Sequence, residues 1–148
     1  MITYKTGSIE LIDQIEKLWK AQRDFHGDVS THFSDKFYSL QFDTRKKSLN
    51  EDGKEKFLIV AYDETPIGYC ISTLDKKQSA EIFSLYVNPD YRGQQIGEKL
   101  MDTSLAWIRE QHPEKIHLSV AIGNEKVMKF YEKFGFKPYT IAMEVKEN

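Results

Sequence analysis

Leu85-Tyr86-Val87-Asn88-Pro89-Asp90-Tyr91-Arg92-Gly93-Gln94-Gln95-Ile96-Gly97-Glu98-Lys99-Leu100 carries a change of period in the middle of the chain. Its first residues read as a β-rich apolar run, Asn88-Pro89-Asp90 as a turn, and Ile96 and Leu100 as the opening of a helix. A strand-to-helix junction of this kind points several unpaired backbone N–H groups at one spot. The helix dipole adds about half a positive charge there. Gly93 and Gly97 remove side chains where a ligand would approach closely, so a phosphate fits. The plainer alternative is that Gly93 permits the turn and Gly97 packs against a sheet. No Lys-Ser/Thr follows the second glycine, as a P-loop requires, and the three glycines of a dinucleotide fingerprint are missing.

Downstream of this stretch, Ile96, Leu100, Thr103 and Trp107 lie on one helical face, with Met101, Leu105 and Ile108 beside it, until His112-Pro113 ends the helix. Ile116, Leu118 and Val120 then alternate as a strand over 116–120. A single crossover helix between the strand at 81–87 and this one makes the two parallel neighbours. A helix over 125–134 follows, with Asn124 as N-cap and Gly135 as the C′ residue, and extended segments at 136–139 and 140–145 close the chain. Upstream, strands at 57–62 and 67–74 flank Asp63-Glu64-Thr65-Pro66 as a hairpin. Nearer the amino end stand a strand at 2–5, a stop and cap at Gly7-Ser8, and a helix whose buried stripe is Leu11, Ile12, Ile15, Leu18 and Trp19. A loop around Phe25-His26-Gly27-Asp28 and a second helix over 33–49 follow. This order predicts a mixed α/β (α+β) fold: a central, mainly antiparallel sheet flanked by helices.

Length and composition agree with one domain over residues 1–148. With 148 residues, 40% hydrophobic and 30% charged, one core is expected. A chain of this size buries roughly two-thirds of its unfolded surface without needing disulfides. The lone Cys70, inside Gly68-Tyr69-Cys70-Ile71, reads as a buried, inert thiol suited to a reducing cytosol. The longest apolar run, 57–62, is too short for a membrane span or a signal-peptide core, so a cytoplasmic protein is expected. A net charge of −2 supplies no field to attract nucleic acid or an anionic membrane. The four histidines, 26, 32, 112 and 117, show no metal-ligand spacing, and no metal is predicted.

Arg92-Gly93-Gln94-Gln95-Ile96-Gly97 resembles the phosphate-binding signature of the GNAT superfamily of acyl-CoA-dependent N-acetyltransferases, usually Arg/Gln-x-x-Gly-x-Gly/Ala. Gln95 stands where that family usually has glycine. Ordinary helical φ and ψ there would accommodate glutamine, whereas a positive φ would weaken the match. A second block, Asn124-Glu125-Lys126-Val127-Met128-Lys129-Phe130-Tyr131-Glu132-Lys133-Phe134-Gly135-Phe136, is similar to the family's Asn-x-x-Ala-x-x-Phe-Tyr-x-x-x-Gly-Phe, with Val127 for the usual small residue. The resemblance covers residues 57–136.

What the resemblance implies is acetyl transfer from acetyl-CoA to a primary amine by direct attack in a ternary complex. The donor would lie in a cleft where the strands at Val87 and Ile116 splay apart. Its pantetheine arm would pair with the backbone of Leu85 and Val87. Its diphosphate would rest on Arg92 and on the amides of Gly93, Gln94, Gln95, Ile96 and Gly97. Asn124 is similar to the residue that bonds the arm, with helix capping as its structural alternative, and Phe130 falls on the donor side of the same block. Tyr131 matches the tyrosine that protonates the leaving thiolate, with core packing as the alternative.

An ammonium with pKa near 10.4 is neutral in only about four parts in ten thousand at pH 7, so a base is needed. Glu81 is read as that base, on the same face as Phe83, Leu85 and Val87, with a solvated strand end as the alternative. Acceptor binding falls to residues 19–42, where Arg23, Asp24, His26, Asp28, His32 and Asp35 stand among Phe25, Phe33 and Phe37. There a cationic amine and a merely solvated loop face are both open. Small-molecule and peptide amines fit equally, and a homodimer is the commonest assembly. The rival readings are a non-catalytic acyl-CoA-binding regulatory module and a nucleotide-binding domain.

Overall fold

The computed structural model describes residues 1–147. The chain divides into two compact units: Met1–Gln22 with Gln41–Leu118, and Arg23–Leu40 with the residues from Ser119 onward. The first holds a five-stranded sheet in the order β1 (Thr3–Gly7), β2 (Glu55–Asp63), β3 (Thr65–Leu74), β4 (Ser79–Val87), β5 (Lys115–His117). Every neighbouring pair is antiparallel except β4–β5, which is parallel. The mainly antiparallel sheet with one parallel pair is the arrangement expected from the element order.

β3 is buried on both faces because it is central, so its side chains read as a nearly continuous apolar run. Helix α4 (Ile96–Glu110) covers the face bearing Gly68 and Cys70, where Leu100 and Ser104 approach them. The opposite face, bearing Tyr69, meets a 3₁₀ stretch at Ile9–Ile15 and the start of α1 (Glu16–Val29). Leu11, Ile12, Ile15, Leu18 and Trp19 are all buried, as their spacing predicts, and so are Leu100, Leu105 and Ile108 on α4. Phe57 stacks on Trp107 with ring centroids 5.2 Å apart.

Several expectations from sequence are corrected. The supposed loop at residues 25–28 is the last part of α1. Gly27 lies within α1, and its bare Cα makes room for the Tyr38 ring, which an added Cβ would strike. The supposed helix over 33–49 is two, α2 (Ser34–Tyr38) and α3 (Phe42–Glu51), parted at an extended Gln41. The Leu40 carbonyl, freed by that break, accepts from the Arg23 guanidinium at 3.0 Å. Ser8 does not cap with its side chain; its hydroxyl donates to the Lys56 carbonyl at 3.0 Å. The strand expected at 116–120 shrinks to Lys115–His117, and residues 136–145 form no strand, leaving Tyr139, Ile141, Met143 and Val145 exposed. The helix expected over 125–134 is a 3₁₀ turn at Glu125–Val127 followed by α5 (Met128–Glu132). Val127, Phe130 and Phe134 are half-buried there. No helix among the described residues is long and apolar enough to cross a membrane.

Candidate active site

The 88–97 corner is built by short-range bonds. The Asn88 side chain accepts from the Asp90 N–H at 2.9 Å, and the Tyr91 N–H closes on the Asn88 carbonyl, also at 2.9 Å. The Tyr91 hydroxyl then donates to Asp63 at the end of β2, 2.6 Å away, and ties the turn to the sheet. This bond holds the Asp63 carboxyl below its usual range and pushes the Tyr91 hydroxyl up. Gly93 takes φ +84°, and a Cβ there would meet nothing within 4 Å, so the corner is open. Gln95 follows at φ 62°, ψ 21°, in the left-handed region. Helical φ and ψ at this position are therefore excluded. The exposed Gln95 side chain makes no capping bond to the first amides of α4. These features meet the needs of a diphosphate.

β4 pairs with β5 only from Ser79 to Glu81. Past that point its outer edge carries no strand among the described residues. The Asn88 N–H donates to Ile67 on β3 at 2.8 Å, so in the antiparallel alternation Tyr86 and Asn88 face β3 while Leu85 and Val87 aim their peptide groups outward. The structure fills both outward carbonyls from the chain itself. Gln22 Nε2 donates to Leu85 at 2.6 Å, and Arg92 Nε donates to Val87 at 3.1 Å. Arg92 also lies over the Tyr86 ring, with its guanidinium carbon 5.6 Å from the centroid. The arginine predicted for the phosphate is thus folded back along the strand edge.

Glu81 requires a correction. Its partner on β3 is Thr73, whereas Leu85 stands opposite Cys70, three residues away, and three residues along a strand reverses the face. The cause is a register shift between Ile71 and Ser72 that leaves Phe83 as the extra residue of a bulge. Glu81 therefore lies on the face of Tyr69 and Ser84, opposite to Leu85 and Val87. Four residues of strand also separate Glu81 from Leu85, about 13 Å.

In the second unit, Tyr131 sits half-buried on α5, its ring 5.4 Å from Phe130 and 6.1 Å from Phe136. Asn124 occupies the cap position of the preceding 3₁₀ turn, but its side chain makes no capping bond. Gly135 does end the helix in the expected way, at φ +94°, with the Phe136 N–H reaching back to the Tyr131 carbonyl. Of the acidic groups between residues 19 and 42, Asp24 pairs with Arg23 and Asp28 accepts from Tyr38. His26 lies between Phe25 and Phe37, and burial pushes its pKa down.

Sequence reading missed Gln22, Tyr69 and Ser84, which form a bonded cluster under β4. The signal was there: Gln22 continues the apolar series Ile15, Trp19 at the next helical step, a polar residue on a buried stripe. A cavity of the first unit lies elsewhere, among Ser8, Leu49, Lys54, Trp107 and Gln111, and includes none of the predicted site residues. Burial pushes the Cys70 thiol up to about 11, which leaves it protonated and unsuited to nucleophilic attack.

Residues 14–136 match the acetyltransferase (GNAT) family. The chain belongs to this family. An uncharacterized N-acetyltransferase of Methanocaldococcus jannaschii is 26% identical over 134 residues, covering 86% of this chain and 57% of that protein. The chain thus spans little more than half the length of that curated relative. A GCN5-related N-acetyltransferase of Ralstonia eutropha superposes with a TM-score of 0.74 at 16% identity, covering 99% of each chain. The PaiA N-acetyltransferase of Thermoplasma acidophilum, solved in complex with coenzyme A, gives 0.70 at 21% identity, covering 93% of this chain and 90% of that one. Membership of the GNAT family gives the open corner at Arg92 and the bare edge of β4 a common context. At position 95 the positive φ weakens the match to the family's signature, because glutamine stands where the backbone favours glycine.

Proposed function

We propose that this protein transfers an acetyl group from acetyl-CoA to a primary amine, with both substrates bound together. The observation that carries the reading is the open corner Arg92–Gly97, where Gln95 makes no capping bond, standing at the end of β4's unpaired edge. The amides of residues 93–97 hold the diphosphate, joined by Arg92 once its guanidinium exchanges the Val87 carbonyl for phosphate oxygens. The release of that carbonyl gives the pantetheine arm an acceptor on β4. When bound, the donor supplies an electrophilic thioester carbonyl.

The chain's own groups do the rest. An outward N–H of Leu85 or Val87 polarises the thioester oxygen. Glu81 takes the amine proton through water, as its place on the other face and its distance along β4 require. Tyr131 gives its hydroxyl proton to the departing sulfur and recovers one from solvent, so one C–N bond forms as one C–S bond breaks. Asn124, whose side chain is not used in capping, is available to bond the arm, and Phe130 borders it.

Acetyl-CoA consumption over a panel of amines tests the reaction. Replacing Tyr131 by Phe is expected to leave acetyl-CoA affinity unchanged and to lower turnover by about 100-fold or more. Unchanged turnover of Tyr131→Phe over the whole pH range removes this residue as the acid.

A further inference from the structure

Gln22 makes three hydrogen bonds with one carboxamide. Its Oε1 accepts from the Tyr69 hydroxyl at 3.0 Å and from Ser84 Oγ at 2.9 Å, and its Nε2 donates to the Leu85 carbonyl at 2.6 Å. The orientation is unambiguous, because a flipped amide would set oxygen against oxygen at Leu85. Tyr69 is fully buried, and with both hydroxyl protons given to Oε1 its oxygen simply lies 2.8 Å from Ser84 Oγ, so the amide is held from behind by two adjacent donors. The two outward carbonyls of the β4 edge therefore differ in kind. Val87 is held by an exposed arginine that solvent or an anion can draw away, whereas Leu85 is held by a braced side chain.

We propose that Gln22 sets the register in which the donor's arm pairs with β4, by keeping the Leu85 carbonyl out of that pairing. The inference rests on the reading that the arm of acetyl-CoA uses this edge. A partner segment on a strand slips in steps of two residues, about 7 Å, which is the spacing from Val87 to Leu85. With Leu85 closed and Val87 open, the arm has one register, and the thioester one position. Gln22 is thus a positioning residue acting through the Leu85 peptide.

The test uses the full chain and two variants. Calorimetry first measures acetyl-CoA binding to the wild type; its failure overturns the proposed function itself. Gln22→Ala opens the second acceptor. It is expected to bind acetyl-CoA within about threefold of wild type but to lose about 100-fold in kcat, because a misplaced thioester still binds. Gln22→Glu retains a donor to Leu85 only while the introduced carboxyl is protonated. Its kcat is therefore expected to approach wild type at low pH and to fall as pH rises, a limb absent from the wild-type profile. If wild type binds the donor but Gln22→Ala keeps its kcat, the register role is wrong. Parallel loss of affinity and kcat in both variants, without the added pH limb, reduces Gln22 to a structural residue and also overturns the proposal.

Discussion

Gln95 occupies the left-handed region at φ 62°, where a side chain with a Cβ costs roughly 1 kcal/mol more than glycine. The strain lies where α4 opens, one residue before its first amide. Gln95→Gly should therefore raise stability by up to about 1 kcal/mol, partly offset by the greater freedom of glycine in the unfolded chain. Thermal denaturation should register an increase of about 2 °C, with acetyl-CoA affinity equal or tighter in calorimetry. A lower melting temperature for the glycine variant would mean that the glutamine side chain makes a contact that outweighs its backbone strain.

At the scale of elements, the corner between β4 and α4 stays in place because Tyr91 is tied to Asp63 on β2. The carboxyl of Asp63 is lowered, chiefly by this bond, so its contribution is complete above the ordinary carboxylate value of 3.8 and disappears as pH falls through the lower native value. The hydroxyl of Tyr91 is raised, chiefly by the same bond, so its contribution is complete below 10.0 and is lost as pH climbs through the higher native value. Between those limits the tie is intact. Tyr91→Phe should loosen the corner and weaken acetyl-CoA binding several-fold near neutral pH, because the exposed turn loses its side-chain bond to β2. The deficit should shrink as pH falls through the lowered native value of Asp63, where the wild-type carboxyl is also protonated. Binding isotherms of the two proteins across pH measure this, and an equal affinity at neutral pH would dismiss the tie.

For the molecule as a whole, a ligand that binds only the folded chain stabilises it by mass action. Acetyl-CoA at one hundred times its dissociation constant should add about 2.7 kcal/mol, or about 8 °C in melting temperature. ATP and NAD at the same concentration should give much smaller shifts, since neither offers an arm to the edge of β4. Equal shifts from all three would instead favour a general nucleotide site. The protein carries a net charge of −2, so in the proposed reading donor capture falls to the local amides and Arg92 and not to a long-range field.

Much of this was legible in the order of residues. Apolar period gave away the helix of Ile96, Leu100 and Ile108 and the sheet strands, because a side chain's face follows directly from its spacing. The bare corner at Arg92–Gly97 was likewise readable, since glycine and turn chemistry are local. What spacing could not settle depended on distant partners. The bulge at Phe83 turns Glu81 to the other face of the sheet, and a shift of one residue in pairing leaves no mark in a local pattern. Gly27 leaves the space that the Tyr38 ring fills, and the Leu85 carbonyl is taken by Gln22, 63 residues away in the chain. Local residue order is enough to place β2, β3, β4 and α4 and to mark the glycine-bearing corner between the last two. Only tertiary structure decided which hydrogen-bonding groups of β4 stay open, because that depends on which side chains from remote segments reach them first.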